Sequence, residues 1–217
     1  MALENTEIRE HIIESVCSFT AHGLGVGTSG NLSARTERGF IVTPTGVPYS
    51  ELAPDLLVEM SLAGEVIGSK LKPSSEWRFH CDIYKEREEA GAIVHVHSPF
   101  ATALACKRKD IPAFHYMVAI AGGDSIRCAD YATFGTAELS EYVVDAIKDR
   151  KACLMANHGQ IAFDKNVHSA FKMAQEVEEL SKQYFYTLQL GEAVILDTAE
   201  MDTVLGKFST YGKQDGQ

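Results

Sequence analysis

The amino-acid sequence predicts an α/β fold: a single domain with a central, mainly antiparallel β-sheet flanked by helices. Three observations carry that expectation. In several long stretches apolar residues recur at three- and four-residue steps, the signature of helices that bury one face. Between them lie short alternating or apolar runs bounded by glycine, proline and serine, as strands and turns are. The two kinds mix without a strict strand–helix–strand order, so a parallel, doubly wound sheet is not the pattern.

The elements follow in order. Ile8, Ile12, Val16 and Phe19 mark a helix from about Thr6 to His22 that "HGLGVG" stops. "NLSAR" and "GFIVTPTG" read as strands, and "LVEMSLAGEVIG" alternates about an Ala-Gly turn, as a hairpin does. "SSEWRFHCDIYKER" opens a helix with Ser74 and Ser75 as caps. "GAIVHVHSPF" is a strand running into "SPFATALACKRKD", a helix with proline in its first turn. "AELSEYVVDAIKDR" is a further helix, and "ACLMANHGQIAF" is two strands around a turn. Phe171, Ala174, Val177, Tyr184 and Leu188 space out a long helix, and "FSTYGKQDGQ" reads as a partly ordered tail.

A chain of 217 residues, 45% hydrophobic, is enough for one core and needs no second domain. The net charge of -10 argues against nucleic acid as a partner, because counterion displacement from phosphates needs a basic surface. No apolar run reaches membrane-spanning length and "MALENTEIRE" is polar, so the expectation is a protein of the cytoplasm with no membrane partner. The five cysteines form no Cys-x-x-Cys pair, which suits reduced thiols used in packing better than a disulfide framework.

The chemistry starts at His95 and His97. On a strand, residues two apart share a face about 6–7 Å apart, so both rings can converge on one metal ion. The same pattern also suits a wet strand face with two inert imidazoles, and the choice turns on a third ligand. His158 in "MANHGQI" is the expected third, at the turn that follows a buried strand. Three neutral imidazoles suit Zn²⁺, with Mn²⁺ or Co²⁺ as substitutes, and leave a coordination position open. His11, His22 and His168 read as surface or capping residues. His80 and His115 can enter the cleft without touching a metal.

Glu76, in the first turn of its helix, reads either as an acid complementing the helix dipole or as a general acid/base. Three segments offer small residues, hydroxyls and backbone N–H groups to an oxyanion without a cationic side chain: "GTSGN", "TPTG" and "PSS". Each alone is a turn; beside a metal set, the three together suggest a phosphate site.

In chain order, "GTSGNLS", "TPTG", "KPSSEWRFH", "IVHVHSPFAT", "FHYMVAIAGGDSI", "YATFGT", "NHG" and "KFSTYG" resemble the class II aldolase/adducin family over nearly the whole chain. The resemblance implies a zinc-dependent aldehyde-lyase that splits a ketose 1-phosphate into dihydroxyacetone phosphate and an aldehyde. It implies His95, His97 and His158 as metal ligands, Glu76 as catalytic acid/base, and Gly30, Asn31, Thr45, Gly46, Ser74 and Ser75 as the phosphate site. Phe134 then lines the aldehyde end, and Tyr211, in a tail over residues 207–217, closes over the site. Tyr116 is similar to a proton donor supplied by a neighbouring subunit, and the resemblance further implies a homotetramer with interface active sites.

Related readings differ from this one in these residues or in the reaction. A 4-epimerase for L-ribulose 5-phosphate would carry aspartate where this chain has Glu76. A methylthioribulose-1-phosphate dehydratase would eliminate water instead of splitting carbon from carbon. An adducin-like interaction domain would lack the histidines and the carboxylate, all of which are present.

Overall fold

A computed structural model describes residues 5–208. Among these residues one eight-stranded sheet runs β4-β3-β2-β1-β5-β8-β7-β6. Its strands are β1 (Asn31–Thr36), β2 (Gly39–Val42), β3 (Val58–Met60), β4 (Val66–Ile67), β5 (Ala92–Val96), β6 (Cys128–Ala129), β7 (Ala152–Met155) and β8 (Gly159–Asp164). Every neighbouring pair is antiparallel except β6 and β7. The mainly antiparallel sheet is therefore as the sequence predicts, and the expected hairpin is β3–β4.

Helices cover both faces. On one side α1 (Thr6–Ser18), α3 (Pro99–Ala105) and the long α5 (Val167–Leu190) bury a cluster that includes Ile12, Val94, Val96, Leu104 and Val177. On the other, α2 (Trp77–Glu86) and α4 (Ala137–Ala146) close over Phe40, Phe79, Ile83, Ile93 and Val143. The alternation in "AIVHVH" suggests a strand with one wet face, but β5 sits mid-sheet between β1 and β8 and is buried throughout. Ala92, Val94 and Val96 point to one apolar cluster and Ile93 to the other, so His95 belongs to a polar layer under α2. Full burial of an imidazole requires partners, and that layer supplies them.

Some boundaries differ from the sequence expectation. The first helix ends at Ser18, and residues 19–24 turn back through Leu24 N–H donating to the Phe19 carbonyl. Helix α2 begins at Trp77, two residues after the expected serine caps; Glu76 takes the N-cap position and its N–H donates to Ser74 Oγ at 3.3 Å. The sequence reading does not include strand β6, the 3₁₀ turns over Tyr49–Glu51, Pro54–Leu56 and Tyr116–Ala121, or a last helix α6 (Thr198–Phe208). Met201 and Val204 of α6 bury against Ala113 and Ala119. All five cysteines are free; Cys81 and Cys153 are packing residues as expected, whereas Cys17 and Cys106 are exposed. No helix among the described residues is long and apolar enough to cross a membrane.

Candidate active site

Three chain segments meet at the ends of β1, β5 and β7. Antiparallel register puts Asn31 of β1 opposite His95 of β5, and His97 follows β5 directly. His158 arrives from the turn between β7 and β8, where Asn157 adopts a left-handed backbone (φ 54°) and Arg108 Nε donates to its side-chain oxygen at 2.7 Å. Glycine is required after it: a Cβ on Gly159 would stand 2.5 Å from the Val96 carbonyl oxygen and 3.0 Å from the His97 ring. This close approach brings the third imidazole to the other two.

The result is a triad with near three-fold arrangement. Ring centroids of His95, His97 and His158 lie 4.8–4.9 Å apart with interplanar angles of 71–77°. One ligand nitrogen from each falls within 4.8 Å of the others. His95 Nδ1 sits 2.8 Å from the Gln160 carbonyl, which only accepts, so Nδ1 carries the proton and Nε2 presents its lone pair. That lone pair faces His97 Nε2 at 3.1 Å and Glu76 Oε2 at 3.3 Å. Glu76 Oε1, buried, stands 3.1 Å from His158 Nε2 but off the line of a hydrogen bond, and has no hydrogen-bond partner. Converging lone pairs beside a buried carboxylate are what a divalent cation neutralises, so the residues fit a bound metal.

The electrostatics agree. Burial alone would raise the Glu76 carboxyl; positive charge on His95 and His158 beside it, which a bound cation would replace, holds it well below the usual carboxylate range. Burial, followed by the neighbouring His95 and His158, brings His97 down to about 4, which leaves its imidazole neutral and able to ligate. Burial likewise lowers His80 to about 3.

These groups floor a cavity of about 340 Å³. Glu76, His97 and His158 line it, and His95 lies fully buried beneath. The expected phosphate positions gather on one side: Gly30 and Asn31, then Thr45 and Gly46, then Ser74 and Ser75. Ser74 N–H donates to the Thr43 carbonyl and Thr45 N–H to that of Lys72, which fastens the second segment to the third. Tyr49 Oη donates to the Gly30 carbonyl at 2.5 Å and so ties down the first. Gly46 has φ +72°, a turn conformation that glycine adopts without strain. No lysine or arginine lines this cavity among the described residues.

Phe134, 64% exposed, lines the cavity together with Tyr131, which opens the same "YATFGT" segment and is not among the expected site residues. Thr28, Ser29, Thr43 and Asn157 also line the cavity and were not chosen individually. Tyr116 does not join this site within the chain: it is half exposed and borders another cavity with Phe114, Leu196 and Phe208. Tyr211 lies outside the described residues, as does most of the 207–217 tail.

Comparison with known proteins gives a consistent result. Residues 10–185 match the family described as Class II Aldolase and Adducin N-terminal domain. The chain is 51% identical over 205 residues to a 5-methylthioribulose-1-phosphate/5-deoxyribulose-1-phosphate aldolase of Rhodospirillum rubrum, covering 94% of this chain and 92% of that one. It is 46% identical over 211 residues to an L-fuculose phosphate aldolase of Escherichia coli K12, covering 97% and 98%. A solved L-fuculose 1-phosphate aldolase superposes with a TM-score of 0.91 at 37% identity, over 96% of this chain and 98% of that one. The protein therefore belongs to the class II aldolase and adducin family, among relatives that are named as aldolases along nearly their whole length.

Proposed function

We propose that the protein is a zinc-dependent aldolase that reversibly cleaves a ketose 1-phosphate into dihydroxyacetone phosphate and an aldehyde. The observation that carries this reading is the meeting of Glu76 with three imidazoles at the floor of a cavity whose other wall is hydroxyls and glycine turns. A divalent cation in the triad supplies Lewis-acid stabilisation of the charge released when the carbon–carbon bond breaks. Zn²⁺ suits three nitrogen donors with an open position, and Mn²⁺ or Co²⁺ can substitute.

The chain's own groups divide the remaining work. The segments around Asn31, Thr45 and Ser75 hold the phosphate through hydroxyls and backbone N–H groups, at the end of the cavity where α2 begins. In the condensation direction an ionised Glu76 takes a proton from the hydroxymethyl carbon of dihydroxyacetone phosphate. Tyr116 of a neighbouring subunit gives one to the aldehyde oxygen, and cleavage runs the same transfers backwards. Phe134 and Tyr211 enclose the aldehyde end and keep water out. This arrangement requires a neighbouring subunit, which the homotetramer implied by the family resemblance would supply, and the exposure of Tyr116 supports its use between subunits. Five unpaired cysteines support work in the cytoplasm.

Only the aldehyde end differs among L-fuculose, 5-deoxyribulose and 5-methylthioribulose 1-phosphates, and relatives are named for each. The test is dihydroxyacetone phosphate release from these three, with L-rhamnulose and ribulose 1-phosphates added, by the zinc-loaded protein. Release dependent on Glu76 supports the reading and ranks the aldehydes. Dehydration or epimerisation with no triose phosphate overturns it.

A further inference from the structure

Behind Glu76 the protein buries a chain of polar side chains that the reaction as described does not use. Tyr84 Oη is 2.8 Å from Ser33 Oγ, which is 2.7 Å from His80 Nδ1. His80 Nε2 is 2.6 Å from Asn31 Oδ1, and Asn31 Nδ2 is 3.0 Å from Glu76 Oε2. Ser33 and His80 are fully buried, and Tyr84, Asn31 and Glu76 are nearly so. The chain follows from matched spacings. Glu76, His80 and Tyr84 sit four apart at one face of α2, about 6 Å per step, and Asn31 and Ser33 sit two apart on β1, about 6.8 Å per step. Helix and strand therefore alternate as rungs: Glu76, Asn31, His80, Ser33, Tyr84.

Its polarity is forced from one end. The Glu76 carboxylate accepts, so the Asn31 amide must turn its NH₂ toward it; the flipped amide would aim one oxygen at another. Asn31 Oδ1 then faces His80 and needs a donor, which fixes the proton on His80 Nε2. His80 Nδ1 is left to accept from the Ser33 hydroxyl, whose oxygen accepts from Tyr84. An imidazolium here would be a fully buried charge with only neutral hydrogen-bond partners. Every link donates in one direction, toward the carboxylate.

We propose that His80 is a positioning residue, backed by Ser33 and Tyr84: it locks the Asn31 amide so that its NH₂ holds Glu76 Oε2 and leaves Oε1 as the oxygen with no hydrogen bond of its own. The consequence for turnover rests on the role of Glu76 given above; the locking itself does not. A side chain that only filled space under α2 would not need its proton on one particular nitrogen.

The test compares two polar replacements of similar burial. His80→Gln puts an N–H close to Nε2 and can still donate to Asn31, whereas His80→Asn ends near Nδ1 and cannot. Nitrogen NMR of the wild-type protein at neutral pH is expected to show His80 as the neutral Nε2–H form. The Asn31 side-chain amide is expected to be protected from exchange in wild type and His80→Gln but not in His80→Asn. An Nδ1–H form, or protection unchanged in His80→Asn, overturns the proposal. In turnover, His80→Asn is expected to lower kcat by about tenfold or more with bound metal unchanged, His80→Gln to recover most of it, and His80→Asn to add under about twofold when Asn31 is already alanine. Equal losses in both variants, tracking their melting temperatures, or additive losses with Asn31→Ala, would mean a packing role. Tyr84→Phe removes one hydroxyl at the far end and should give the same pattern more weakly if His80→Asn folds poorly. If the wild type cleaves no ketose phosphate, the aldolase reading fails and the NMR arm still decides the lock.

Discussion

Asn31 and His95 face each other across the β1–β5 register, and both reach the same carboxylate oxygen: Asn31 Nδ2 lies 3.0 Å and His95 Nε2 3.3 Å from Glu76 Oε2. One strand pairing therefore joins the neutral donor that holds Glu76 to the imidazole that neighbours it. A slip of one residue in that register would turn the side chains of the strand that moves to the opposite face, so Asn31 and His95 would no longer share one.

Glu76→Gln keeps the size and the burial of the side chain but removes the group that exchanges a proton. Metal binding should persist, while kcat falls by about 10²–10⁴-fold. Metal analysis beside steady-state kinetics checks this, and loss of the metal together with activity would make Glu76 chiefly a ligand.

Replacing any one of His95, His97 and His158 by alanine leaves two imidazoles where the geometry provides for three. Metal affinity should fall by more than about 100-fold in each case, read by competition with a chromogenic chelator. A variant that keeps full affinity is not missing a ligand.

Gly159→Ala places a methyl 2.5 Å from the Val96 carbonyl oxygen, a backbone atom that cannot step aside. The expected cost is about 1–3 kcal/mol, seen as a melting temperature lowered by several degrees. Because the strain falls between His97 and His158, metal affinity should drop as well, although glycine is no ligand.

Much of this was readable in the sequence because the signals were local. The two-residue spacing of His95 and His97 and the turn at His158 each needed only a few residues of context, and the mixed, mainly antiparallel sheet followed from alternation and glycine. What could not be read was set by tertiary packing. "AIVHVH" looks half wet, and only the mid-sheet place of β5 shows that the histidine face is a dry polar layer. His80 is visible as four residues after Glu76, but Ser33, 47 residues away, becomes its partner only when α2 lies over β1. Helix α6 does carry a signal, since Met201, Val204 and Phe208 recur at helical spacing, although the sequence reading assigns no element between the long helix and the tail.

Burial brings His80 down to about 3, so between that value and the usual 6.5 the unfolded chain takes up a proton that the folded one refuses. Stability from this group is complete above about pH 6.5 and is lost as the pH falls, with a slope approaching 1.4 kcal/mol per pH unit. In metal-free protein, the acid limb of stability against pH should be shallower by that amount in His80→Gln than in wild type. Urea unfolding at stepped pH values measures it, and identical slopes would mean that His80 is not held neutral.

The most direct test of a single metal-dependent centre is to strip the metal and restore it. Cleavage of the best ketose 1-phosphate should fall below a few per cent of its starting rate after chelation and return on addition of one equivalent of Zn²⁺ per chain. Glu76→Gln should stay inactive throughout. Undiminished cleavage by protein shown to be metal-free would contradict the account, because the triad would then have no part in the chemistry.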